Sequence, residues 1–136
     1  MSIVSTEHPN AALVRRGYVA FNTADMETLE ELFHEDACWH TPGRGPLAGS
    51  HQGRDAVFAH FGQYGGLTAG TFRANLQEVL TNEDGTVVGI HRNTAERDGK
   101  TLDVVLTEAI KFNAEGKVTE AWALSNDQRG YEQFYS

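Results

Sequence analysis

Residues 72–126 read FRANLQEVLTNEDGTVVGIHRNTAERDGKTLDVVLTEAIKFNAEGKVTEAWALSN, and their periodicity decides the fold. From Phe72 onward apolar and polar residues alternate, the pattern of a strand with one face buried. Three interruptions, each containing a glycine, break the run: Asn82-Glu83-Asp84-Gly85, Asp98-Gly99 and Asn113-Ala114-Glu115-Gly116. They divide it into strands over residues 72–80, 87–97, 102–112 and 118–126, joined as an antiparallel meander.

Before residue 71 the period is helical. Residues 10–22 carry Leu13, Val14, Gly17, Tyr18 and Phe21 on one stripe, with Asn10 placed to cap the helix. Asp25 opens a second, short helix with Met26, Leu29, Leu32 and Phe33 as its apolar stripe. Residues 36–41 read as a strand running into a Gly/Pro-rich loop at 42–49. Gly53-Arg54-Asp55 starts a third helix, with Val57, Phe58 and Phe61 inward and Gly65-Gly66 as its stop. Three helices followed by a bent antiparallel sheet predict an α+β fold, one domain over residues 1–136. The curved sheet wraps the helices as a cone whose interior suits a small molecule.

Composition narrows the partners. Hydrophobic residues make up 40%, enough for an ordered core in 136 residues. Nineteen acidic against eleven basic residues leave a net charge of -8, which disfavours nucleic acid and anionic membrane as partners. No apolar stretch reaches membrane-spanning length, and MSIVSTEHPN lacks the basic start and apolar run of a signal peptide. Cys38, the only cysteine, reads as a buried structural thiol. The expected location is the cytoplasm.

Tyr18-Val19-Ala20-Phe21-Asn22-Thr23-Ala24-Asp25 and Leu29 to Ala37 carry a resemblance, continued by Leu47-Ala48-Gly49-Ser50-His51-Gln52-Gly53-Arg54-Asp55-Ala56-Val57. Gly116-Lys117-Val118-Thr119-Glu120-Ala121-Trp122 and then Asp127 complete it. Over residues 10–135 the chain resembles the SnoaL-like proteins (polyketide cyclase and ketosteroid isomerase relatives) of the nuclear transport factor 2-like superfamily. The resemblance implies a cone-shaped cavity and a habit of dimerising. It does not fix a reaction, because one fold hosts many. It also implies a role for Asp127, which matches an aspartate proposed as acid/base in polyketide cyclases. The steroid-isomerase pattern and a full Asp-Arg-Asp epoxide-hydrolase set are both missing from the sequence.

Candidate catalytic residues are Asp127, His40 and His91. Asp127 serves as a base if an apolar cavity raises its pKa; the alternative is a pair with Arg129 or a cap on the tail segment. His40 is a candidate base or hydrogen-bond donor, because a free imidazole exchanges its proton near neutrality, but it also suits a satisfied wall position. On the second strand of the meander His91, Asn93 and Ala95 share a face, where His91 and Asn93 can polarise a carbonyl oxygen. On the third, Glu108 stands alone among Leu102, Val104, Leu106, Ile110 and Phe112. Such an acid must be paired, with Arg92 or His91, or protonated. Glu120 alternates with Val118 and Trp122. The expected pocket wall comprises Trp39, Tyr18, Phe58, Phe61, Asn93, Glu108 and Trp122.

No metal-ligand set gathers on any one element, the glycines form no phosphate loop, and no cofactor is implied. Two functions stay open. One is a cofactor-independent isomerase, cyclase or lyase acting on a small apolar carbonyl compound; the other is a non-catalytic ligand-binding or accessory protein. A homodimer through the sheet face is expected, with Val105, Ala109, Ala121 and Ala123 opposite Glu108 and Trp122.

Overall fold

The structure is a computed structural model and describes residues 7–136; most of the leading segment examined for a signal peptide lies outside those residues. Two helices lead, α1 (Asn10–Thr23) and α2 (Met26–Leu32), then strands β1 (Phe33–Thr41) and β2 (Gly49–Gln52) and helix α3 (Arg54–Leu67). The meander follows as β3 (Arg73–Thr81), β4 (Val87–Arg97), β5 (Lys100–Phe112) and β6 (Val118–Ser125), and α4 (Gln128–Tyr135) closes the chain. The strands form one sheet in the order β2-β1-β6-β5-β4-β3. Every adjacent pair is antiparallel except β1 and β6, which run parallel. The α+β architecture with a curved sheet over N-terminal helices is therefore present, and β1–β6 joins its two halves. Among the described residues no helix is long and apolar enough to cross a membrane.

Local chemistry explains most boundaries. Asp25 caps α2 by accepting from Thr28 N at 3.2 Å. Asn10 does not cap α1: Pro9 holds that position, and Asn10 Nδ2 instead donates to Gly85 O at 2.9 Å, tying the helix to the β3–β4 turn. Gly65-Gly66 lies inside α3 rather than ending it. The stop falls at Ala69 and Gly70, both at positive φ, where Gly70 N donates to Gly65 O at 2.9 Å. Thr68 Oγ1, buried, donates to Tyr64 O at 2.6 Å and fixes that last turn.

Two elements were absent from the sequence expectation. β2 has no apolar alternation and exists because residues 49–52 pair with 38–41. α4 buries Tyr131, Phe134 and Tyr135, a three- and four-residue spacing that carries a helical signal.

A bulge also changes which way β6 faces. Phe112 pairs with Val118 but Lys111 pairs with Glu120, so Thr119 is extra. Val118 and Ala121 both point inward, at 7% and 0% exposure, while Trp122 faces out at 39%. The expected grouping of Val118, Glu120 and Trp122 on one face is thereby corrected. The expected dimer face is corrected too: Ala121 is in the core and Ala123 packs against it, so Val105 and Ala109 share the outer face with Trp122.

Candidate functional site

Helices and sheet part to leave a mostly apolar, partly open cavity of about 80 Å³. Its walls come from the α1 stripe (Leu13, Val14, Gly17, Tyr18, Phe21), from Phe33 and Trp39 of β1, from Phe61 and Tyr64 of α3, and from inward residues of β3 to β6. One water needs roughly 10–15 Å³, so the space takes several waters or a compact ligand.

Four polar side chains meet in this wall. Tyr18 donates its hydroxyl to Glu108 Oε2 at 3.0 Å. Glu108 Oε1 lies 3.0 Å from His91 Nε2, an ion-pair distance whose angle is too poor for an aligned hydrogen bond. His91 Nδ1 is 2.6 Å from Asn93 Oδ1. An amide oxygen only accepts, so Nδ1 carries a proton and Nε2 is the nitrogen that faces the carboxylate. The register accounts for the gathering: Gly89 pairs with Glu108 and His91 with Leu106, which leaves Glu108 and His91 on a diagonal of the inner face. Gly89 also makes room for Tyr18. A Cβ there would stand 3.1 Å from the Tyr18 hydroxyl.

Electrostatics follow from burial. For His91 the largest single influence is desolvation, which favours the neutral ring. The charge of Glu108 at that short distance and the hydrogen bond to Asn93 together outweigh it and raise the pKa above the ordinary histidine value. Burial, then the Glu108 charge, push the Tyr18 phenol well above its usual range, so Tyr18 remains a donor. Tyr64, at the same wall, shares a buried 3.0 Å hydrogen bond with Tyr131. Burial raises both phenols.

Of the expected residues, the cavity unites Tyr18, Trp39, Phe61, His91, Asn93 and Glu108. Phe58 is corrected to the packing behind it, 5.5 Å from Phe33 by ring centroids. Asp127 is exposed and outside the cavity wall, and its carboxylate caps α4 by accepting from Gly130 N at 2.9 Å. The helix that employs it begins one residue later, so the proposed acid/base role gives way to the cap. His40 is on the outer face, because Trp39 takes the inward position on a regular strand. There it stacks on Trp122, with centroids 5.5 Å apart, and lies 2.7 Å from Glu120 Oε2 and 2.7 Å from Ser50 Oγ. Trp122 is thus an exterior residue rather than a pocket wall. Arg92 is also outside and binds Asp103 rather than Glu108.

Two participants escaped the sequence reading. Tyr64 stands directly before the expected Gly65-Gly66 stop with nothing in the sequence to mark it as a wall residue, and Gly89 carries no signal until β4 is paired with β5. A third finding concerns ligand types: Cys38, His40 and Glu120 bring a sulfur, a nitrogen and an oxygen within 4.8 Å of one another. Spacing on one element could not reveal the set, because Glu120 belongs to a strand 80 residues beyond His40. Burial, then the Glu120 charge, push the half-buried Cys38 thiol up.

An α+β cone with a lined, apolar interior and a small polar cluster is the architecture of the nuclear transport factor 2-like proteins. The SnoaL-like domain family matches residues 14–121, and the chain belongs to that family. It is 35% identical to Rv0034, an uncharacterized protein of Mycobacterium tuberculosis, over 96% of this chain and 99% of the relative. Bal32a, from a soil-derived mobile gene cassette, superposes with a TM-score of 0.91 at 54% identity, over 93% of this chain and 96% of Bal32a. TerC, crystallised with polyporic acid, shares the fold at 20% identity and a TM-score of 0.79, over 95% of this chain and all of TerC (100%).

Proposed function

We propose that this chain is a cofactor-independent acid/base enzyme acting on a small, largely apolar carbonyl compound held in the cavity. The observation that carries this reading is Glu108, a carboxylate at 8% exposure in an apolar wall, touching both His91 and Tyr18. Such a group is unprofitable for stability unless paired, and its pairing here puts two proton-exchanging side chains at one point of a ligand-sized space. Glu108 takes a proton from the carbon beside the carbonyl and returns it at a second position. His91, steadied by Asn93, holds the counter-charge while the proton is away. Tyr18, released from Glu108 when the carboxylate is protonated, donates to the oxygen that gains negative charge. TerC, with polyporic acid, supports the idea of an organic ligand in this fold.

The test is deuterium uptake from heavy water into small apolar ketones, followed by NMR. The wild-type chain is expected to accelerate uptake beside the carbonyl, and Glu108→Gln to lose about 10²–10⁴-fold, the usual worth of a general base. Uptake unaffected by Glu108→Gln would refute the assignment. Ligand binding without exchange would favour the accessory-protein reading.

A further inference from the structure

The outer face of the β1–β6 pair carries a second group of functional side chains, separate from the cavity. Cys38 and His40 are two residues apart on β1 and share a face. Glu120 stands opposite Cys38 in the parallel register, and Ser50 opposite His40 on β2. From these placements we propose that Cys38 Sγ, His40 Nε2 and a Glu120 carboxylate oxygen form a three-ligand site for a divalent borderline metal ion, Zn2+ foremost, with a fourth position open.

Distance, ligand chemistry and ring orientation all support it. The three ligand atoms lie within 4.8 Å of one another. Tetrahedral zinc with sulfur, nitrogen and oxygen ligands has ligand-to-ligand separations of about 3.3–3.8 Å, so closure asks for movement of about an ångström by half-exposed side chains. A thiolate and a carboxylate together cancel the charge of a divalent ion, and the mixed sulfur and imidazole donors exclude Mg2+ and Ca2+. The His40 ring is held in advance, stacked on Trp122 at an interplanar angle of 18°, with Nδ1 2.7 Å from Ser50 Oγ. This is how a ligating histidine is usually oriented: one nitrogen on the metal and the other donating to a neighbouring oxygen.

Proton accounting is simple. Without metal, His40 Nε2–H donates to Glu120 and Nδ1 accepts from the Ser50 hydroxyl. With metal, the ring proton moves to Nδ1 and is donated to Ser50 Oγ. The Cys38 S–H bond breaks, its electron pair binds the ion, and one proton is released to solvent. The ion then bridges the parallel strand pair that joins the two halves of the sheet.

The experiment is titration of the reduced, untagged full chain with Co2+, then Zn2+. One Co2+ per chain is expected, with a thiolate-to-cobalt charge-transfer band that Zn2+ abolishes, and zinc is expected to raise Tm. Cys38→Ser should remove the band, Glu120→Gln should weaken binding at least tenfold, and Ser50→Ala by about tenfold, as for other outer partners of ligating histidines. As a check that needs no variant, Zn2+ should slow alkylation of Cys38 in the parent chain. Absence of the band, equal Co2+ affinity in Cys38→Ser, or alkylation indifferent to zinc would each overturn the site. None of these outcomes bears on Glu108, whose deuterium-exchange test stands separately.

Discussion

Two His–Glu pairs sit on opposite faces of one sheet, and their difference shows how burial changes what the same chemistry does. His91–Glu108 faces the cavity, with side chains 2% and 10% exposed and a 3.0 Å separation. His40–Glu120 faces outward at 27% and 40%, and is closer, at 2.7 Å. The shorter contact is the weaker determinant. Water screens the outer pair and solvates either partner alone, whereas the inner pair has only itself, Tyr18 and Asn93. Burial is thus the reason that the proposed proton exchange falls to the inner pair and the proposed metal capture to the outer one.

The comparison breaks most visibly on truncation. Glu108→Ala removes the charge partner of the buried His91 ring and leaves it only Asn93, and chemical denaturation should show a loss of about 3–5 kcal/mol, the usual cost of removing one buried partner. Glu120→Ala should cost about 0–1 kcal/mol in the absence of metal, as exposed pairs do. Equal losses would mean that burial does not distinguish the two.

Gly89→Ala sharpens the inner half of the contrast. The new methyl meets the Tyr18 hydroxyl at 3.1 Å, so Tyr18 must yield by a few tenths of an ångström. Stability should fall by about 1–3 kcal/mol, as overpacking does, and proton exchange should fall with it. Asp127→Ala tests a smaller effect. Loss of the α4 cap should cost about 1 kcal/mol by thermal unfolding and leave deuterium exchange unchanged.

Another buried histidine supplies a pH prediction. His60 has its pKa lowered to about 3, first by burial and then by the charge of His51, stacked at 3.9 Å. Its folded pKa lies below the unfolded value of about 6.5, so the unfolded chain binds the extra proton between those limits. The stability His60 contributes is complete above pH 6.5 and is lost as pH falls toward 3. Denaturation midpoints of wild type should decline through that window, and His60→Asn should flatten the decline.

Much of this was legible in the residues. Alternation after residue 71 and three glycine-bearing turns gave the meander, and the lone Glu108 among apolar neighbours marked the inner face of β5. His91 and Asn93 followed from parity on β4. What failed was whatever depends on partners distant in the chain. The extra residue at Thr119 reverses parity only relative to β5, which no local pattern records, and it moved Trp122 from the expected wall to the exterior. Asp127 was legible as a carboxylate after a tryptophan, but its role changed once Gln128–Tyr135 folded into a helix needing a cap. Cys38, His40 and Glu120 converge only because β1 and β6 pair in parallel.

The most direct test of the central claim, that Glu108 and His91 form one coupled acid/base pair, is an NMR titration of the His91 ring in wild type and in Glu108→Gln. In wild type the ring should titrate above the ordinary histidine value, because Glu108 overcomes burial. Stability linked to it is then present below pH of about 6.5 and lost as pH rises through the folded pKa. In Glu108→Gln burial acts without that charge, so the pKa should drop below the ordinary value. Identical His91 titrations in the two proteins would contradict the account.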